Sequence, residues 1–160
     1  MRKLLLVGFL FASACRSHTV EEPVVRPTPA ASAPVAGATS GAGAASPRLA
    51  LDAFLGAIRA QDLQAMSSVW GDKNGPVRDA KVMSREDMEQ RELYLIRCLK
   101  HDSFRVLGDS PSMDGERQLR VELVRGTVTK STDFSLARSG DRWFVRTFAL
   151  DPVKDLCTAK

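Results

Sequence analysis

The feature that most constrains this chain is a change of hydrophobic period at His101. Before it, apolar residues recur at helical spacing; after it, they alternate with polar ones. Upstream, Leu51, Phe54, Leu55 and Ile58 form one helical stripe, with Ala50, Ala53 and Ala57 beside it and Asp52, Arg59 and Gln61 opposite. Ser46 and Pro47 suit the cap and first turn of that helix. Asp62 caps a second, short helix with Leu63, Met66, Val69 and Trp70 inward and Gly71 as its stop. Asp72 to Met83 is a loop turning at Asn74-Gly75-Pro76. Ser84 and Asp87 form a capping-box pattern for a third helix reaching about His101. Its apolar residues are Met88, Leu93, Leu95, Ile96 and Leu99, with Tyr94 and Cys98 between them.

Downstream, Phe104 to Leu107 is a first strand and Asp114-Gly115 a hairpin turn. Leu119, Val121 and Leu123 alternate in a second strand that bends by a bulge at Gly126. Phe134 and Leu136 mark a third strand, Ser139-Gly140-Asp141 a turn, and Trp143 to Leu150 a fourth strand closed by Asp151-Pro152. Helices first and an antiparallel meander after them give an α+β layer fold. On the last strand, period-two alternation gives Trp143, Val145 and Thr147 one face and Phe144, Arg146 and Phe148 the other.

The 160 residues supply one such domain plus extras. The extras are N-terminal. Met1-Arg2-Lys3 precedes an apolar run from Leu4 to Phe11, followed by Ala12-Ser13-Ala14-Cys15, the order of a secretory signal. Pro23 to Ser46 is Ala, Gly, Pro, Ser or Thr at all but four positions, too little apolar surface to offset ordering entropy. A tether from Arg16 to Ser46 has a root-mean-square reach of roughly 30 Å. The expected organisation is a signal over 1–14, Cys15 and a disordered tether over 15–46, and a folded domain over 47–160. The net charge of +4 is mild, and from Arg48 onward 19 basic residues meet 17 acidic ones. That excludes the basic footprint of a nucleic-acid binder.

Ala12-Ser13-Ala14-Cys15 resembles the lipobox of bacterial lipoproteins, with Ala12 standing where that family most often has Leu. The resemblance implies cleavage before Cys15, acylation there, and attachment to a membrane through the lipid. Arg16, in place of the Asp linked to inner-membrane retention, implies the outer membrane, facing the periplasm. Plain cleavage after Ala14, giving a secreted soluble protein, is the alternative. With Cys15 in the anchor, Cys98 and Cys157 remain as an even pair in an exported protein. A disulfide between them would tie the tail to the third helix, closing a loop of about 60 residues for roughly 4 kcal/mol at most. Two free buried thiols are the alternative. No His or Cys stands at metal-ligand spacing to either.

Ala50 to Ile58 followed by Gln61-Asp62-Leu63, and Gly140-Asp141-Arg142-Trp143-Phe144-Val145, resemble the opening and closing segments of the NTF2-like superfamily. Over about Pro47 to Asp151 the resemblance implies a curved antiparallel sheet wrapped on helices as a cone. A pocket between them would be lined by Phe54, Ile58, Trp70, Tyr94, Trp143 and Val145. It further implies that the closing strand turns Trp143 and Val145 inward against Phe54, Ile58 and Tyr94, leaving Phe144, Arg146 and Phe148 on an outer face. Through that face two copies, or a partner protein, would pair unless the tail from Asp151 to Leu156 folds over it. A cystatin-like sheet on one helix is the runner-up.

Enzymatic members of that superfamily move protons with Asp, Glu or His, often with Tyr. Here His18 falls in the tether. His101 beside Asp102 suits a capping or surface role at a helix end better than a catalytic dyad. Tyr94 suits core packing and Asp133 a solvent-facing site. No catalytic residue, metal or cofactor is expected. The expected function is that of a non-catalytic envelope lipoprotein binding a small apolar ligand or a protein; a diverged isomerase or dehydratase is the alternative.

Overall fold

The computed structural model describes residues 41–81 and 83–158. The signal, Cys15, His18 and most of the tether lie outside them.

Helix α1 (Pro47–Ala60) starts where Ser46 Oγ accepts from the Leu49 N–H at 3.2 Å, and ends at Gln61 in the left-handed region, φ 56°. Its stripe of Ala50, Leu51, Phe54, Leu55, Ala57 and Ile58 is buried. Helix α2 (Leu63–Val69) is capped by Asp62, whose Oδ1 accepts from the Ala65 N–H at 2.9 Å. The expected loop after it contains a small hairpin, β1 (Gly71–Asp72) with β2 (Gly75–Pro76). Helix α3 (Arg85–Leu99) opens on Ser84, which accepts from the Asp87 N–H at 3.1 Å and donates to its carboxylate at 2.8 Å.

Strands β3 (Ser103–Pro111), β4 (Arg117–Arg125), β5 (Val128–Ser139) and β6 (Arg142–Phe148) form one antiparallel sheet in that order. The fold is α+β: three helices, then a four-stranded antiparallel meander, with α1 against β6. Gly126 is not a bulge within one strand. Arg125 pairs with Val128, so Gly126 and Thr127 are the turn of a hairpin, and the φ of +57° at Gly126 is one that such a turn favours glycine for. The core joins Leu119, Val121, Leu123, Phe134, Leu136 and Val145 of the sheet to Leu51, Phe54, Leu55 and Ile58 of α1. The Phe54 and Phe134 rings meet edge to face at 6.4 Å.

The expected faces of β6 need correction. Ser135 pairs with Thr147 but Leu136 with Val145, so Arg146 is an extra residue bulged out of the ladder. Phe148 is thereby returned to the same face as Val145, stacked on Phe134 at 5.7 Å. Phe144 does point away from that face, yet it is only 3% exposed. Residues 41–45, expected to belong to the tether, cover it. Ala44 and Trp143 exchange backbone hydrogen bonds at 2.9 and 2.8 Å, and the Gly43 N–H donates to Ser68 O at 2.8 Å. A Cβ on Gly43, whose φ is +74°, would come within 2.6 Å of the Phe144 ring, so only glycine lets the segment lie that close. The pair of exposed phenylalanines does not exist. What the outer sheet face presents is a set of ion pairs: Arg105 with Glu122 at 3.1 Å and Arg120 with Asp133 at 3.4 Å across neighbouring strands, and Arg146 with Glu116, just before β4, at 3.3 Å.

The tail does not cross that face either. Helix α4 (Lys154–Thr158) packs on α3, and the disulfide Cys98–Cys157 joins them. Val153 and Leu156 are buried in the main core.

Candidate functional site

Of the six residues expected to line a pocket, Phe54, Ile58 and Val145 are core residues at 1% exposure each, and Trp70 and Trp143 are half-buried against them. They come together, but as packing: the space between helices and sheet is filled by Phe54, Phe134, Leu51, Leu55, Ile58 and Leu119. Tyr94 is not among them. It is 48% exposed on the outside of α3, next to Leu93 at 57%.

The reason is the rotation of α3. Its buried residues are Glu92, Ile96, Cys98 and Leu99, with Met88 and Leu95 half-buried. Met88, Glu92, Ile96 and Leu99 fall on one side at spacings of four, four and three, so the inward stripe carries a glutamate at its centre. Leu93 and Tyr94, one and two steps further round, are turned to solvent. Glu92 is 1% exposed and its Oε1 is buried without a hydrogen-bond partner. Burial, with a smaller contribution from the like charge of Glu89, pushes its carboxyl up from 4.5 to about 7. Glu92 went unnoticed in the sequence, although its position four residues from both Met88 and Ile96 was the available signal.

His101 does cap α3, but from inside. It is 3% exposed, and its Nδ1 lies 2.8 Å from the Leu99 carbonyl oxygen. A carbonyl oxygen has no proton to give, so Nδ1 carries the hydrogen and donates, leaving Nε2 an unpartnered buried acceptor. Burial holds the imidazole below its ordinary pKa despite that bond, and nearby Arg59 adds to the effect. The ring sits edge-on to Phe104 at 5.6 Å. Asp102 forms no dyad with it: the Asp102 Oδ2 accepts from the Gly126 N–H at 2.7 Å and ties the start of β3 to the β4–β5 turn. Asp133 lies on the outer sheet face with Arg120.

Two grooves flank α3. One, of about 530 Å³, runs along its outside between Met83, Asp87, Gln90, Arg91 and Tyr94. The other, of about 280 Å³, separates its start from α2 and includes Ser67, Arg78, Arg85 and Met88. Neither Glu92 nor His101 lines them. Among the described residues no group of three or more His, Cys, Asp and Glu is placed to hold a metal ion. Helix α3 is thus the element on which unusual chemistry collects, with a protonatable carboxyl inside and an apolar pair outside. No known family model matches this chain, and no curated protein does.

Proposed function

We propose that this is a cell-envelope lipoprotein, acylated at Cys15 and held at the outer membrane facing the periplasm, whose NTF2-like domain is a non-catalytic protein-binding module. The observation that carries the choice of a protein over a small apolar ligand is the packing. The volume in which a cone would hold a ligand is filled by the chain's own Phe54, Phe134 and Leu119, while Leu93 and Tyr94 stand in solvent beside a groove. Association surfaces are built from contiguous exposed apolar side chains, and Leu93 and Tyr94 are adjacent on α3.

Three measurements test the reading. The mature protein takes up a fatty-acid probe and fractionates with membranes, and Cys15→Ser loses the label; unlabelled soluble wild-type protein overturns the anchor. A photo-crosslinking residue placed at Leu93 gives a discrete protein adduct in cells, and one at Arg120 on the ion-paired sheet face gives none. A small molecule bound one-to-one in the native mass of the purified protein would instead restore the apolar-ligand role. Glu92 favours a second reading, a diverged isomerase or dehydratase, because a carboxyl with its pKa near 7 suits general acid–base work. On that reading Glu92→Gln abolishes turnover while leaving the fold intact.

A further inference from the structure

We propose that the outer face of α3 pairs antiparallel with the same face of a second copy of this chain. The proposal rests on the protein-binding reading above and names its first partner.

Positions 86, 90, 93 and 97 follow one another at spacings of four, three and four, so they form a single stripe along the helix, opposite the buried one. The stripe runs Glu86, Gln90, Leu93, Arg97. Beside it, Asp87 lies near the start of the helix, Glu89 is paired with Arg85 at 2.8 Å, Arg91 lies near the middle, and Lys100 follows the last turn. The stripe itself is therefore acidic at its start, with Gln90 and Leu93 in the middle, and basic at its end. Among the described residues, neither Glu86 nor Arg97 enters an ion pair within the chain. On the sheet face, by contrast, Arg105, Arg120 and Arg146 already have carboxylates beside them.

Such a pattern is its own complement under a two-fold axis. With the axis midway between Gln90 and Leu93, Glu86 of each copy meets Arg97 of the other, about 16 Å along the helix from its own Arg97. Gln90 then meets Leu93, and the two leucines close on each other beside the axis. The groove bordered by Met83, Gln90 and Tyr94 lies next to this stripe and receives the apolar side chain of the opposing helix. A parallel arrangement sets Glu86 on Glu86 and Arg97 on Arg97, which is repulsive at both ends. A two-fold contact of this kind is isologous and closes at two copies.

The test is a charge exchange, read as chain number by native mass spectrometry and sedimentation of the full-length lipidated protein in mild detergent. Wild type gives two chains. Glu86→Arg and Arg97→Glu each weaken pairing by roughly tenfold or more, since each places like charges at both contacts. Both positions are exposed, so the thermal midpoint measured on dilute single chains stays within about 3 °C of wild type. An equimolar mixture of the two variants recovers the two-chain species as a mixed pair, because opposite charges then meet at both contacts. A wild-type single chain at all concentrations, or a dimer indifferent to both variants, or a mixture that stays apart, overturns the proposal. A single chain whose position 93 still crosslinks to a different protein in cells overturns self-pairing and leaves the binding-module reading standing. A single chain with no adduct overturns both.

Discussion

Helices α1 and α3 both lay a face on the same core, and they do it under opposite rules. In α1 the stripe of Leu51, Phe54, Leu55 and Ile58 is buried and uniformly apolar, and the exposed side carries an Arg48–Asp52 pair one turn apart. In α3 the pattern is inverted at its centre: Glu92 points in, and Leu93 and Tyr94 point out. An apolar stripe is what stability alone selects, so α1 reports the fold. A buried carboxyl with an unpartnered oxygen costs stability, so Glu92 is the residue of the α3 stripe that stability alone does not explain.

The sharpest way to break this comparison is to damage α1. Phe54 is 1% exposed and meets Phe134, so Phe54→Ala removes about 4 kcal/mol by transfer and cavity terms together. Urea unfolding measures this, and a loss under about 1 kcal/mol would mean that α1 is not the anchor described. Next comes the bond that holds α4 on α3. Cys98 and Cys157 are 59 positions apart, and reduction of the disulfide costs roughly 4 kcal/mol as an upper figure. Intact mass should rise by two hydrogens on reduction, and thiol titration of the native protein should find neither Cys98 nor Cys157.

Much of this architecture was legible in the chain because it is written in local rules. Ser46-Pro47, Asp62 and Ser84 are caps whose side-chain oxygens satisfy nearby backbone donors, and each begins a helix where expected. The change of period at His101 separates helices from sheet. What escaped was non-local. A one-residue insertion at Arg146 reverses the face of everything after it, and alternation counted along the strand cannot register a residue that its partner skips. Gly126 looked like a bend because the alternation continues beyond it, yet the register closes a hairpin there. The burial of Phe144 depends on Gly43, about a hundred positions away and inside a segment whose composition alone suggests a tether. Leu93 stands among the apolar residues of α3 by type alone, although the side of the helix that it shares with Glu86, Gln90 and Arg97 is otherwise polar.

The buried carboxyl of α3 separates the two helices in a pH experiment. Glu92 titrates at about 7 in the folded chain against 4.5 when solvated, so between those values the folded form holds a proton that the unfolded form has released. Its contribution to stability is complete below pH 4.5 and is lost as pH rises through 7, a fall of about 3 kcal/mol. His101, held below its ordinary pKa, acts in the opposite direction, losing stability as pH falls below 6.5. The difference between wild type and Glu92→Gln isolates the glutamate: Glu92→Gln is the more stable at pH 8, and its advantage vanishes toward pH 4.5. A difference independent of pH would show that Glu92 is solvated.

The smallest effect is the one that distinguishes a surface from a core most directly. Leu93→Ala deletes the same kind of side chain that makes α1 indispensable, but at 57% exposure it should change stability by less than about 0.5 kcal/mol. That holds at dilutions where wild type and Leu93→Ala are both single chains. Raising the protein concentration should then separate them. Association stabilises whichever form pairs, so the wild-type thermal midpoint climbs with concentration while that of Leu93→Ala stays flat. A large loss already present in the dilute chain would place Leu93 in the core after all, and α3 would then pack by the same rule as α1. Parallel behaviour at every concentration would leave the leucine an ordinary exposed residue. Only a midpoint that diverges with concentration gives the inverted stripe of α3 a use, because the side chain is then neutral to the single chain and needed by the pair.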